Sequence, residues 1–217
     1  LLETYEGSRW ARNPQSQDID MPRLVKEIRA KQPELLVVDR AVPGEQQNYL
    51  TPEQHIPETG LPYPWETCMT MATSWSYVPN DLYKVSKGGN YLLNIGPGPD
   101  GELDTAAYHR LAEIGTWMKT NGEAIYGSRM FAVFSEGEKI RFTQTKDGKT
   151  RYIFLFDFPE NKILLTKMPF FKNDKVQLLG TNKNILWKQA TAGVDIMIPA
   201  VLKNTTDHVW VLKVKSD

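Results

Sequence analysis

From Ser128 to the C-terminus the chain is written with a period of two. "MFAVFSE", "KIRFTQT", "TRYIFLFDF", "NKILLTKM", "KVQLLG", "NILWKQ", "VDIMIP" and "HVWVLKVK" are strand-length pieces, separated by turns such as Lys146-Asp147-Gly148 and Pro159-Glu160-Asn161. Side chains on a strand alternate between two faces, so such pieces cannot present one apolar face as helices. About eight short strands at regular spacing predict an antiparallel β-sandwich. Trp187, Trp210 and Phe156 fall on its apolar positions and read as core rather than as a ligand platform. No catalytic motif lies in this half, which reads as structural or carbohydrate-accessory.

The pattern before Tyr126-Gly127 is different. "DIDMPRLVKEIRAKQPE" has Asp20 as N-cap, Pro22 in the first turn and Leu24, Val25 and Ile28 on one face, with Pro33 ending the helix. "LLVVDR" (35–40), "WETCMTM" (65–71) and "YLLNI" (91–95) read as short strands buried on both faces, the kind that parallel sheets contain. In "VSKGGNYLLNIGPGPDGELD", Gly88, Gly89 and Asn90 let the chain turn into the last strand, and Gly96 to Gly101 form the loop at its C-terminal end. Asp104 then opens a helix to about Asn121 that buries Leu111, Ile114, Trp117 and Met118. This β/α order belongs to a parallel sheet or barrel, whose strand C-termini carry the catalytic loops. The reading is α/β plus all-β: residues 1–127 are part of a (β/α)8-like barrel, and residues 128–217 are a β-sandwich domain.

One segment resists that topology. Parallel strands need a crossover of a dozen or more residues, usually a helix. "ATSWSYVPNDLYKVSKGGN", between the second and third strands, contains Pro79, Gly88 and Gly89 and has no helical apolar face. Only three barrel strands are visible where eight close a barrel. We therefore expect a fragment, or an ordered subset of a longer chain, with breaks between Tyr5 and Trp10 and near Lys84-Val85. The sequence opens at "LLETYEG" without methionine, so the true N-terminus and any signal peptide are expected upstream. Lys+Arg and Asp+Glu both total 26, which leaves no electrostatic footprint for nucleic acid. The single cysteine, Cys68, excludes an internal disulfide framework and a cysteine-rich metal site. No apolar run approaches the length of a membrane span.

"KQPELLVVDR", "NYLTPEQHIPETGLPYPWETCMTM", "SWSYVPNDLYK", "VSKGGNYLLNIGPGPDGELD" and "LAEIGTWMKTNGEAIYGSR" together resemble the C-terminal half of a glycoside hydrolase family 29 α-L-fucosidase. The resemblance runs from about residue 17 to residue 129, and the sandwich sits where that family keeps its C-terminal domain. It implies retaining hydrolysis of terminal α-L-fucose on a fucosylated glycan, without metal or organic cofactor. It also implies a secreted or periplasmic enzyme, or a lysosomal one in a eukaryote. The family's nucleophile aspartate stands in a Trp-x-Asp-Gly context just before the "QDIDMP" helix. Here that place reads Tyr5-Glu6-Gly7-Ser8-Arg9-Trp10, without the aspartate. The family's fucose-binding histidines come from earlier strands, and His55, His109 and His208 do not match them. His109 reads as a helix-surface residue.

A retaining glycosidase uses two carboxyl groups about 5–5.5 Å apart, one nucleophile and one acid that then acts as base. Glu53, between Pro52 and Pro57 on the loop past "LLVVDR", matches by resemblance a position that supplies the acid/base; its plain alternative is a solvated loop glutamate. Glu66 is the rival, beginning a strand beside Trp65, with a structural hydrogen-bonded carboxylate as its alternative. Glu45 and Glu58 are weaker candidates. Arg40, at a strand end, suits a sugar oxygen or a carboxylate, or simply a salt bridge to Asp39. The resemblance turns Arg40 toward the sugar. Trp75, past a strand end, offers an aromatic plane to the apolar methyl side of a 6-deoxy sugar, while Trp65 reads as packing. Two further readings stay open: a degenerate, non-catalytic carbohydrate-binding protein, and an interaction module built on the sandwich.

Overall fold

The computed structural model describes residues 20–38, 46–52, 54, 64–71, 75–76, 90–181, 183–206 and 208–216. Arg40, Glu45, Glu53, Glu58 and His55 lie outside the described residues, as do both expected breaks. The chain divides into two compact units, Leu1–Arg110 and Leu111–Asp217.

In the first unit, helix α1 spans Met21–Lys31. Asp20, itself left-handed at φ 44°, accepts from the Arg23 backbone N–H, and Pro22 stands in the first turn where its missing N–H costs nothing. The Gln32 N–H closes the helix on the Ile28 carbonyl just before Pro33. Val25 is the buried member of its face, Ile28 is half-buried and Leu24 is exposed. Strands β1 (Glu66–Thr70) and β2 (Asn90–Asn94) pair in parallel, in register from Glu66↔Asn90 to Thr70↔Asn94.

A ladder continues on the other side of β1. Leu50 N–H donates to Pro64 O (2.9 Å), Glu66 N–H to Leu50 O (2.9 Å), Cys68 N–H to Pro52 O (3.3 Å) and Gln54 N–H to Cys68 O (2.9 Å). Beyond it, Asn48 N–H donates to Val37 O (2.7 Å) and Val38 bridges Tyr49 in parallel. The order across this sheet is therefore 37–38, 48–54, β1, β2. Two expectations change. "LLVVDR" pairs only through Val37 and Val38 among its described residues, and "NYLTP", expected as loop, carries the ladder. Leu50, Thr51 and Pro52 are buried there. Pro52 has no N–H to give, yet its carbonyl still accepts from Cys68, so the proline leaves one rung out without ending the pairing. The third expected strand also differs, because Leu92 is exposed; β2 has β1 as its one strand neighbour among the described residues.

Helix α2 (Thr105–Asn121) is capped by Asp104, whose carboxylate accepts from Ala106 N–H at 2.8 Å. Ala107 is fully buried, whereas Leu111, Ile114, Trp117 and Met118 are half-buried. The second unit begins within this helix.

The second unit holds β3 (Ser128–Glu136), β4 (Ile140–Thr145), β5 (Thr150–Leu155), β6 (Lys162–Leu165), β7 (Lys175–Leu178), β8 (Asn184–Ala190), β9 (Gly193–Met197) and β10 (Trp210–Lys215). All pairings are antiparallel, in the order β3-β4-β5-β10-β7-β8-β9-β6. This eight-stranded sheet curls on itself like a sandwich. Phe131 and Phe142 from one end share a core with Leu165 and Ile196 from the other. The two edges are tied at Glu136, whose carboxylate accepts from Thr166 N–H (2.7 Å), Thr166 Oγ1 (2.7 Å) and Lys167 N–H (3.2 Å). Trp210 is buried and Trp187 and Phe156 are half-buried, all in core clusters as expected. On the opposite face of the sheet, Trp117 of α2 packs against Tyr152, Phe154 and Val211 and donates from Nε1 to Val209 O at 2.8 Å.

Candidate active site

Chemistry in β/α architecture gathers at the C-terminal ends of parallel strands. Here those ends are Thr70 on β1 and Asn94 on β2, which are direct register partners. Met71 N–H donates to Asn94 O (3.0 Å), and the Asn94 side-chain amide donates to Trp75 O (2.9 Å). The β2 end thus holds the backbone of Trp75, whose side chain is 42% exposed.

Gln54 is fastened to the same end. Its amide Nε2 donates to Thr70 Oγ1 (3.1 Å), and its Oε1 accepts from Thr70 Oγ1 (3.4 Å) and Thr70 N–H (3.5 Å). Upstream, Asn48 Oδ1 accepts from Val37 N–H (2.8 Å) and from Arg29 Nη2 (2.7 Å), and Arg29 also reaches Gln46 O (3.0 Å). Helix α1 therefore fixes where the 48–54 stretch enters the ladder. Both chain neighbours of Glu53 are bonded to the backbone of Cys68, Pro52 through its carbonyl and Gln54 through its N–H.

Glu66 lies at the opposite end. It is the first residue of β1, half-buried, with its N–H on Leu50 O. It stands four positions before Thr70, about 13 Å at roughly 3.3 Å per strand residue. Trp65 is half-buried beside it. His109 is exposed on α2, as expected of a helix-surface residue, and His208 is exposed too.

The carboxylates in the loop after β2 are engaged within that loop or by the first turns of α2. Asp100 Oδ1 accepts from Glu102 N–H (3.1 Å), Glu102 Oε2 from Tyr108 Oη (3.0 Å), and Asp104 caps α2. Gly98 N–H reaches Glu102 O (2.7 Å), and Gly101 takes a left-handed φ of 85° that a side chain would strain. No cluster of His, Cys, Asp and Glu among the described residues could hold a metal ion. No helix among them is long and apolar enough to cross a membrane.

Three polar residues at this rim, Gln54, Thr70 and Asn94, escape a reading that looks for carboxylates, arginines and tryptophans. Their signal in the sequence is position alone: Thr70 and Asn94 stand at the ends of their strands.

Comparison with known proteins places these observations in a family. Residues 4–123 match the model of the alpha-L-fucosidase family, and residues 135–215 match that of the alpha-L-fucosidase C-terminal domain. The chain is 33% identical over 180 residues to tissue alpha-L-fucosidase of Bos taurus, covering 72% of this chain and 38% of that protein. Among solved structures, alpha-L-fucosidase isoenzyme 1 from Paenibacillus thiaminolyticus superposes with a TM-score of 0.74 at 28% identity, over 90% of this chain and 53% of that one. The Thermotoga maritima alpha-fucosidase, solved with a mechanism-based inhibitor, also gives 0.74, at 26% identity over 91% and 49%. The chain spans about half the length of these structures, and less of the bovine protein.

Proposed function

This chain belongs to the alpha-L-fucosidase family, and from that premise we propose that the product of its whole gene is a retaining exo-glycosidase removing terminal α-L-fucosyl groups from glycans. The chain supplies the acid/base half of the machinery. In this reading Glu53 protonates the departing glycosidic oxygen. It then takes a proton from the water that releases fucose from the nucleophile. Arg40 holds a sugar oxygen or the partner carboxylate, and Trp75 receives the methyl side of the sugar. Glu66 is a structural carboxylate. We propose a domain division at residues 127/128, and a secreted, periplasmic or lysosomal workplace; recovery of the protein from cytosol alone would overturn the last point.

The observation that carries the assignment is the pinning of Pro52 and Gln54 to Cys68, with Gln54 reaching on to Thr70. It fastens the described residues on both sides of position 53 to β1, whereas Glu66 starts that strand. The test uses the whole gene product and an aryl α-L-fucoside, with NMR reading the anomer first released. We expect retention. Inverted product would overturn the mechanism. Absence of fucose release, together with retained fucose binding, would leave the binding-only reading that the Tyr5–Trp10 sequence favours. Glu53→Ala should cripple fucosides with poor leaving groups far more than activated ones, with partial rescue by azide. If Glu66→Ala shows that pattern instead, the two roles are exchanged.

A further inference from the structure

A recess of about 370 Å³ opens in the sheet unit where the chain leaves β6, between the loop 166–170 and the β8–β9 hairpin. Ligand sites run from about 300 Å³ upward, with a largely apolar lining and a few convergent polar groups. This recess fits that description. Met168 and Val194 line it as buried apolar residues, and exposed Pro169 and half-buried Phe170 continue the apolar wall. Thr166, Lys167 and Gln189, all exposed, bring a hydroxyl, an amine and an amide to the same opening. Among the described residues, the lining has one cation and no carboxylate.

The walls are fixed by the protein's own bonds. Glu136 accepts from Thr166 N–H, Thr166 Oγ1 and Lys167 N–H, and the buried Arg151 donates to Pro169 O. The Phe170 ring centroid lies 5.6 Å from the Arg151 guanidinium carbon and 5.1 Å from the ring centroid of Trp187. On the hairpin, Gln189 Nε2 donates to Gly193 O at 2.9 Å, which leaves Oε1 to accept. Gly193 lacks the Cβ that would strike the Leu165 backbone, so β9 starts directly against the end of β6. A recess held in this way needs little ordering when it is filled.

We propose that the recess is an accessory glycan site, taking one sugar unit of a neutral oligosaccharide other than the fucosyl group that is hydrolysed. A sugar ring carries C–H groups on its faces and hydroxyls around its edge. The Pro169–Phe170 wall suits the first, and Thr166, Lys167 and Gln189 can exchange hydrogen bonds with the second. A lone lysine is a poor match for a phosphate ligand, which draws planar arginine forks or several cations. The choice of a sugar rests on the glycosidase reading of the whole protein, whereas the recess itself does not.

The test titrates the whole gene product with lactose, N-acetyllactosamine, cellobiose and xylobiose, none of which carries fucose, and follows binding by saturation-transfer NMR. At least one disaccharide should bind with a millimolar Kd. Lys167→Ala and Gln189→Ala should each weaken that binding about two- to tenfold, the worth of one hydrogen bond. Gln189→Trp, which fills the recess, should abolish it. All three variants should keep the wild-type Tm and the wild-type turnover of an aryl α-L-fucoside, and added fucose should not displace the disaccharide. The proposal is overturned if no disaccharide binds at millimolar concentration, or if binding survives all three substitutions. Displacement by fucose would also overturn it, because the sugar would then occupy the catalytic site. If the protein releases no fucose while disaccharide binding still responds to the substitutions, the glycosidase reading fails and the accessory site stands.

Discussion

Removing Asp174 should cost the sheet unit as much as truncating one of the large side chains of its core. Asp174 and Arg151 are 6% and 3% exposed and form a buried ion pair. Arg151 Nη1 donates to Pro169 O, and Nη2 donates both to Asp174 Oδ2 and to Ser216 Oγ (2.9 Å). Ser216 in turn donates to Asp174 Oδ1 (2.7 Å), and Phe171 N–H to Oδ2 (2.8 Å). The Phe170 and Phe171 rings stand 5.6 and 5.2 Å from the guanidinium carbon. The pair thus joins β5, the segment before β7 and the end of β10. Asp174→Ala leaves the guanidinium buried without its counter-ion, a loss of about 3–5 kcal/mol. Unfolding entropy near 2.1 cal/mol/K per residue over the unit Leu111–Asp217 makes each kcal/mol roughly 4 °C, so Tm should fall by about 13–22 °C. Urea melts followed by tryptophan emission suit the measurement, since Trp187 Nε1 donates to Asp174 O at 2.8 Å. Replacing both partners, Arg151→Met with Asp174→Leu, should recover most of the loss, because the cost lies in the orphaned charge. A single variant losing less than about 1 kcal/mol, or a double variant no better than the single, would refute the reasoning.

Tyr152 is buried, and burial first, then the charge and acceptor of Glu123, push its phenol up to about 12. A pKa raised on folding from about 10 means the contribution is whole below pH 10 and lost as pH climbs through 12. Urea midpoints between about pH 9 and 12 should fall less steeply for Tyr152→Phe than for the wild type. At Gly193, an added Cβ would lie 2.0 Å from Leu165 O and 2.9 Å from Leu165 C, both backbone atoms. Gly193→Ala should therefore force β6 from β9 and cost about 1–3 kcal/mol by chemical denaturation. Trp75→Ala should raise KM for fucosides about tenfold with a smaller change in kcat, the mark of binding shared by ground and transition states.

The sheet unit was legible because its strands alternate cleanly and its turns carry Gly, Asp and Pro. Each of the eight pieces became a strand, and Trp210 entered the core as its apolar neighbours predicted. What alternation does not carry is the pairing order. That β10 inserts between β5 and β7 follows from long-range closure of the core, and no local pattern in "VWVLKVK" announces it. Helix α1 was legible to its ends because caps are local: Asp20, Pro22 and Pro33 each act within one turn. The four apolar residues expected to be buried by α2 are only half-buried, since periodicity gives the face of a helix but not how deeply that face is covered.

The rim was harder to read, and the reason is physical. Prolines at 52 and 57 mark a loop by every local rule, yet a parallel ladder needs from Pro52 only its carbonyl, which the ring leaves free. Leu50, Pro52 and Gln54 therefore bond to β1 where sequence reasoning expects only a loop. A parallel ladder has one direction, and Glu66 opens β1, at the end away from Thr70 and Asn94. Burial beside Trp65 made Glu66 attractive as an acid, but burial has no direction. A carboxyl that must reach a glycosidic oxygen needs one. Among the described residues, Pro52 and Gln54 both bond to Cys68, and Gln54 is held at φ 55° with its amide on Thr70.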